Sequence, residues 1–298
     1  INPNHTAIFR YSFNRNKLNG LGIGGTSLAE RGFDSLQTEN VFRFSETAIL
    51  NPSSVNEFRI GLTNTEIGQN ALNNQPAIIV SGAFSAGGAN LQSLLRRERL
   101  LEIADNLTYD TKQHSLKFGI QLFNRGISET ESENTNGTFY FGGNGQFSSL
   151  EQYRQTLLGF AVPTRYSVTI GSPKVSTNQW LFAGFVQDEW RLNQKFLLSL
   201  GIRYEGQTVP SDFGGIAPRI GLAFVPNKKQ NWIFRVRGGI FYSRITDSLS
   251  LETKRFDGQN QRQITIDSPT FPNPFLQSHA NNLIPTRRIL DAEIKSPI

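Results

Sequence analysis

The sequence predicts an all-β fold, an antiparallel up-and-down meander with one short helix near residues 148–158. Three observations carry that expectation. The dominant period of the hydrophobic pattern is two, not 3.6, which is the signature of strands. Tight turns alternate with long Gly-, Asn-, Ser- and Thr-rich connections, so the two ends of the meander differ. Within single strands, one side is apolar and aromatic while the other is basic and glycine-rich.

The strands justify themselves in order. Residues 7–13 alternate loosely, and residues 56–64 set Phe58, Ile60 and Leu62 against Glu57, Arg59, Gly61 and Thr63. Residues 101–109 follow the same rule loosely. Residues 116–125 set Leu116, Phe118, Ile120 and Leu122 against Lys117, Gly119 and Gln121. Residues 139–141 and 165–170 are short candidates on either side of the helix. Residues 196–205 place Phe196, Leu198, Leu200, Ile202 and Tyr204 opposite Ser199, Gly201, Arg203 and Glu205. Residues 216–224 place Ile216, Ile220, Leu222 and Phe224 opposite Arg219, Gly221 and Ala223. In residues 231–244, Trp232, Phe234, Val236, Ile240 and Tyr242 share one side with Gly238. Arg235, Arg237, Gly239 and Ser243 share the other, with Phe241 as an intruder.

Turn chemistry marks short connections at 51–54, 111–114, 193–195 and 226–231. Long connections fall at 14–36, 67–97, 128–137, 207–215 and after Ile245. Short turns on one edge and long loops on the other is the asymmetry of an outer-membrane barrel, and a soluble sandwich has no reason to sort loops this way. Leu150, Tyr153, Leu157 and Leu158 form a helical stripe, with Ser148 or Ser149 as N-cap and Gly159 as stop. This helix is expected to pack on a barrel rim or inside it.

The 298-residue chain has no cysteine and no methionine and carries a net charge of +6. No thiolate metal site or disulfide framework is possible. A complete reading frame begins with methionine, so the expectation is a piece of a longer protein. The pI of about 9.6 comes from scattered Lys and Arg rather than a dense patch, which speaks against nucleic acid as a partner. The mean hydropathy of −0.35 looks soluble. A membrane barrel reads the same, because only alternate residues meet lipid.

The motifs "FAGFVQDEWRLNQKFLLSLGIRYEG" (182–206), "IAPRIGLAFVP" (216–226) and "FRVRGGIFYSR" (234–244) resemble, in order and spacing, the barrel of TonB-dependent outer-membrane receptors. The subgroup they look most like is Oar-like, often fused to a carboxypeptidase-regulatory-like domain. "DNLTYDTKQHSLKFG" (105–119), "FRIGLT" (58–63) and "YRQTLLG" (153–159) fit that subgroup too. The resemblance implies residence in the outer membrane of a Gram-negative-type bacterium. The implied fold is part, about half, of a large transmembrane β-barrel, since such transporters have about twenty-two strands and the meander counts about eleven. Residues 1–298 then form a partial barrel domain with no plug, TonB box or C-terminal strand in the segment. The implied partners are outer-membrane lipid, the protein's own plug and the TonB system, and an unknown solute at the external loops.

On this reading Trp190, Trp232, Tyr204 and Tyr242 belong to lipid-facing aromatic girdles. Arg59, Lys117, Arg203, Arg219, Arg235 and Arg237 point into the lumen, toward plug or ligand. Arg10, Arg43 and Arg165 share their parity, against fewer acids: Glu57, Glu102, Glu189 and Glu205. Either the plug or an anionic solute supplies the missing negative charge, or a hydrated wall pairs its charges locally. Glu46, Asp105 and Asp188 fall on the apolar parity, each near a short turn; a β-bulge that flips the faces is the other explanation. His5, His114 and His279 are far apart in sequence and hold no metal-ligand spacing, and His114 reads as a solvated turn residue. No catalytic constellation and no cofactor motif is present, so the expectation is not an enzyme. The expected function is a wall segment of a receptor taking up a large or scarce solute. The rivals are a non-transporting surface protein, adhesin or secretion-linked, and a soluble β-sandwich binding module.

Overall fold

The computed structural model describes residues 3–226, 232–243, 245, 247–276, 287–289 and 294. The chain runs through β1 (His5–Leu21), β2 (Phe33–Asn51), β3 (Ser54–Ala71), two short strands β4 (Ala77–Val80) and β5 (Phe84–Gly87), then β6 (Leu91–Asp110) and β7 (His114–Glu133). It continues through β8 (Thr138–Phe141), helix α1 (Ser149–Leu157) and β9 (Arg165–Gly171). Four further wall strands follow: β10 (Lys174–Arg191), β11 (Phe196–Thr208), β12 (Ser211–Phe224) and β13 (Phe234–Gly239). Helix α2 (Asp247–Arg255) and strand β14 (Gln261–Asp267) complete the described elements.

Nine strands form one antiparallel wall in the order β1-β2-β3-β6-β7-β10-β11-β12-β13, and β1 does not pair with β13. The expected turns close its short end. Asn51 Oδ1 accepts the Ser53 amide, Thr111 Oγ1 accepts the His114 amide, and Asn193 Oδ1 accepts the amides of Lys195 and Phe196. These side chains replace backbone partners that a tight turn cannot offer. The fourth turn, expected at 226–231, lies mostly outside the described residues.

Several expectations about the other end change. Residues 139–141 and 165–170 do form strands, but not in the wall. They are β8 and β9 of a second, five-stranded sheet ordered β14-β9-β8-β4-β5. The wall passes directly from β7 to β10, so the alternation of its two ends survives. The connections taken as long loops are therefore packed structure, with Val80, Phe139, Phe141, Tyr166, Val168 and Ile266 forming the buried cluster. Arg165 consequently leaves the wall and lies over the Tyr140 ring at 4.7 Å. The connection expected at 207–215 shrinks to Val209 and Pro210, because β11 and β12 run on to Thr208 and Ser211.

Helix α1 forms where expected, capped by Ser148, whose hydroxyl accepts the Glu151 amide. Its orientation differs. Gln152 and Thr156 are buried, while Leu150, Leu157 and Leu158 are each more than half exposed. Gln152 accepts from the Gly143 amide and donates to the Val162 carbonyl. Loop backbone groups with no ladder need partners, and that need turns the polar side inward. Of the apolar stripe, Tyr153 alone packs, edge-on against Phe84 and Phe141.

The wall glycines give a test of packing. A Cβ at Gly119 would come within 2.2 Å of the Phe185 ring, whereas one at Gly201 would meet nothing closer than 3.5 Å. Gly119→Ala is expected to lower stability by about 1–3 kcal/mol through overpacking. Gly201→Ala should leave stability unchanged or raise it by up to about 1 kcal/mol. Urea titration of the protein folded in lipid vesicles separates the two.

Candidate functional site: the two faces of the wall

Side chains of directly paired residues point to the same side of a sheet, so continuous register sorts the wall into rows. One row reads Tyr11, Phe42, Leu62, Leu101, Asn124 and Trp180. The next toward the short turns reads Phe9, Phe44, Ile60, Ile103, Leu122 and Phe182. This apolar face has no second layer over it in the middle of the wall: Ile120 is 65% exposed, Phe234 57% and Leu200 42%. A soluble sandwich would bury these three against a partner sheet. Trp180 and Trp190 bracket the face on β10. Their ten-residue separation is about 33 Å along a strand, or about 25 Å of height at a 40° tilt, the height of the apolar band of an outer-membrane barrel.

The opposite face carries the predicted cations. Arg59 lies opposite Ala104, Lys117 opposite Thr108, Arg203 opposite Phe185, and Arg219 opposite Gly201 and Gly239. That places them on one face together with Arg235, opposite Ala223, and Arg237, opposite Gly221. Their environments differ. Arg59 pairs with Glu57 at 3.2 Å, and Arg203 pairs with Glu205 and donates to Gln121. These two fit the local pairing considered above. Among the described residues, Arg10, Arg43, Lys117, Arg219, Arg235 and Arg237 make no ion pair. Arg219 lies over the Phe241 ring at 4.8 Å, which explains the aromatic intruder on the basic side. One hollow of about 400 Å³ is lined by Arg10, Arg43, Arg59, Gly61 and Glu102. Another of about 300 Å³ is lined by Arg191, Lys195, Arg235 and Arg237.

Toward the long-connection end this face is covered by α2, in a stretch expected to be loop. Leu251 packs on Ile127 and Val175. Beside them Arg125 and Arg96 both contact Glu98, Arg96 reaches Glu129 at 3.1 Å, and Arg255 of α2 bridges Glu129 and Glu131. Burial pushes the Glu131 carboxyl above its usual range, against the pull of Arg255. Nothing in the sequence period announces this network. The available signal was the charge alternation of Arg96, Glu98, Glu129 and Glu131 on one parity of two strands.

Of the girdle candidates, Trp190 and Tyr204 lie on the apolar face; Trp190 stacks on His114, and Tyr204 donates to the Phe213 carbonyl. Trp232 and Tyr242 lie just outside β13; Trp232 is 65% exposed, and Tyr242 donates to the Ile216 carbonyl. The three acids on the apolar parity stay there, with no bulge at their positions, and each has a donor. Glu46 takes His5, Asp105 takes Asn56, and Asp188 takes His114 at 2.7 Å. His114 is thus a partner of an acid rather than a solvated turn residue. His279 lies outside the described residues. Among the described residues no cluster could hold a metal ion, and no helix is long and apolar enough to cross a membrane.

A nine-stranded meander with one apolar face and one charged face is the wall of a β-barrel that resides in the outer membrane. Residues 1–215 match the family described as "Outer membrane beta barrel domain", and the chain belongs to that family. Among solved structures it is similar to the outer membrane transporter YddB from Escherichia coli, with a TM-score of 0.62 and 10% identity over 89% of this chain and 32% of that one. It is also similar to the ferric enterobactin receptor PfeA from Pseudomonas aeruginosa, with a TM-score of 0.54 and 13% identity over 90% of this chain and 36% of that one. The chain therefore spans about a third of the length of these neighbours, and at such identities the likeness bears on the fold. No curated protein matches the sequence.

Removing one side of the α2 clamp tests its role. Arg255 and Glu129 are both buried, and stranding one buried charge costs about 3–5 kcal/mol. Arg255→Ala should therefore undock α2, increasing hydrogen exchange across Asp247–Arg255 while β2 and β3 keep their protection. Unchanged exchange in α2 would show that the Leu251 packing and the Lys254 hydrogen bond to the Ser176 carbonyl suffice to hold it.

Proposed function

We propose that this wall belongs to a TonB-dependent receptor of the Oar-like kind, in which the apolar face meets lipid and the charged face lines the lumen. The single observation that carries the proposal is the unequal treatment of charge on the inner face. Under α2 the arginines are paired with glutamates, whereas toward the short turns Arg10, Arg43, Lys117, Arg219, Arg235 and Arg237 make no ion pair among the described residues and outnumber the carboxylates near them, Glu102 and Glu189. Confined cations require water or a countercharge, and an acidic plug surface or an anionic solute supplies one. The fold-level likeness to an outer membrane transporter and to a ferric enterobactin receptor supports the reading. Arg203, held by Glu205 and Gln121, serves the wall itself rather than the solute.

Two measurements test this. The complete gene product, in planar bilayers with potassium chloride, should conduct little. With Arg235→Glu and Arg237→Glu together, the loosened plug should raise conductance several-fold and shift selectivity from anions toward cations. A double variant with unaltered conductance and selectivity would remove both residues from the lumen. For the girdles, Trp180, Trp190 and Trp232 should be quenched more by lipids brominated near the headgroup than by lipids brominated at the chain ends. The reverse order would place them in mid-bilayer.

A further inference from the structure

The apolar face changes character within one row. Beyond Tyr11, Phe42, Leu62, Leu101 and Trp180, the next row toward the long-connection end is Asn40, Asn64, Arg99, Gly126 and Asn178, with Phe13 on the edge strand. The row after that is Arg15, Thr38, Glu66, Arg97, Ser128 and Ser176. The third is Lys17, Leu36, Gly68, Leu95, Thr130 and Lys174. These rows carry five cations, Arg15, Lys17, Arg97, Arg99 and Lys174, all exposed, against one carboxylate, Glu66. Glu66 is already taken by Arg97 at 2.7 Å.

This excess lies in the three rows just beyond the last aromatic row, on the side that faces away from α2. That is where hydrocarbon ends and lipid headgroups begin. Arg97 and Arg99 lie on β6, and Arg15 and Lys17 on β1. Three strand spacings, about 14 Å, separate the two pairs. Between them lie Thr38, Asn40 and Asn64, whose hydroxyl and amide groups hydrogen-bond oxygen-rich ligands, and Glu66, which Arg97 already neutralises. Lys and Arg beside a membrane surface attract anionic headgroups, and guanidinium groups match phosphate in particular. We infer that this patch binds the anionic phosphate headgroup of a lipid in the outer-facing leaflet, its acyl chains lying down the apolar rows beside Phe13, Phe42 and Leu62. The site is on the opposite face from the lumen cations and stands whether or not the barrel transports.

Native mass spectrometry of the complete gene product in detergent provides the test, with dimyristoyl phosphatidic acid and dimyristoyl phosphatidylcholine as probes. Phosphatidic acid should be retained about tenfold more strongly, equivalent to 1.4 kcal/mol. Arg15→Gln, Lys17→Gln, Arg97→Gln and Arg99→Gln together should abolish that preference. Arg99→Gln alone, which removes a side chain with no ion pair among the described residues, should reduce it. Arg235→Gln with Arg237→Gln should leave it intact. Equal retention of the two lipids, or a preference that survives the quadruple change, would overturn the site. Displacement of the lipid by millimolar inorganic phosphate would overturn its assignment to lipid. Retention of the heat-resistant, compact electrophoretic form of folded barrels confirms that each variant is folded.

Discussion

The structure depends on one constraint: the backbone ladder between long antiparallel strands must run without interruption from β1 to β13. Inside a bilayer no water is available to replace a missing hydrogen bond, so every amide and carbonyl is satisfied across strands. The wall has almost no core of its own. What it has instead is register, continuous from β2 through β12 apart from bulges near strand ends. Continuous register turns the period-two sequence into rows, and the rows separate hydrocarbon from water. A slip of one residue on any central strand would carry its arginines to the apolar side and its leucines to the charged side.

The same logic explains where charge is neutralised. Away from α2 the inner face is open, and Arg235 and Arg237 remain solvated. Under α2 Arg255 and Glu129 are buried, and Arg96, Arg125 and Arg255 interleave with Glu98, Glu129 and Glu131. A helix laid over unmatched arginines would bury them at a cost of several kcal/mol each. The apolar face obeys the rule from the other side. Its three acids lie within a few residues of the short turns, and each carries a hydrogen bond from His or Asn. Near an interface such a pair costs little, whereas a bare carboxylate at mid-height would not persist.

How much of this was legible depended on the length scale of the signal. Alternation over eight or ten residues, as in 116–125 or 196–205, needs no tertiary knowledge, and those strands and faces stood as read. The turns stood because Asn51, Thr111 and Asn193 carry their own hydrogen-bonding chemistry. The second sheet did not, because β4 and β8 are four-residue apolar runs that meet in parallel from distant connections. Period cannot tell such runs from pieces of loop or helix. The α2 clamp was hidden for the same reason, since Arg255 lies 126 residues from Glu129. On the candidate site, parity put all six basic candidates on one face. It was silent on pairing, so Arg59 and Arg203 looked the same as Arg235. Phe123, Phe185 and Ile127 show the limit from the apolar side. They sit on the charged face, Phe185 because Gly119 leaves room for its ring and Ile127 because Leu251 of α2 covers it.

The edges bear on what the wall can do. Among the described residues, β1 offers seventeen residues of strand with one side of its ladder unpaired, and β13 offers six. An open edge of that length is a template for another strand in water and has no stable place in hydrocarbon. Each edge therefore requires a neighbouring strand, whether from the same polypeptide or another. Only with those neighbours does the charged face enclose a volume. Until then Arg235 and Arg237 face bulk water, where salt screens them within about 10 Å. In a lumen bounded by low-dielectric walls the field of one sign is focused rather than screened. The same arginines then bear on which anions can lie beside them.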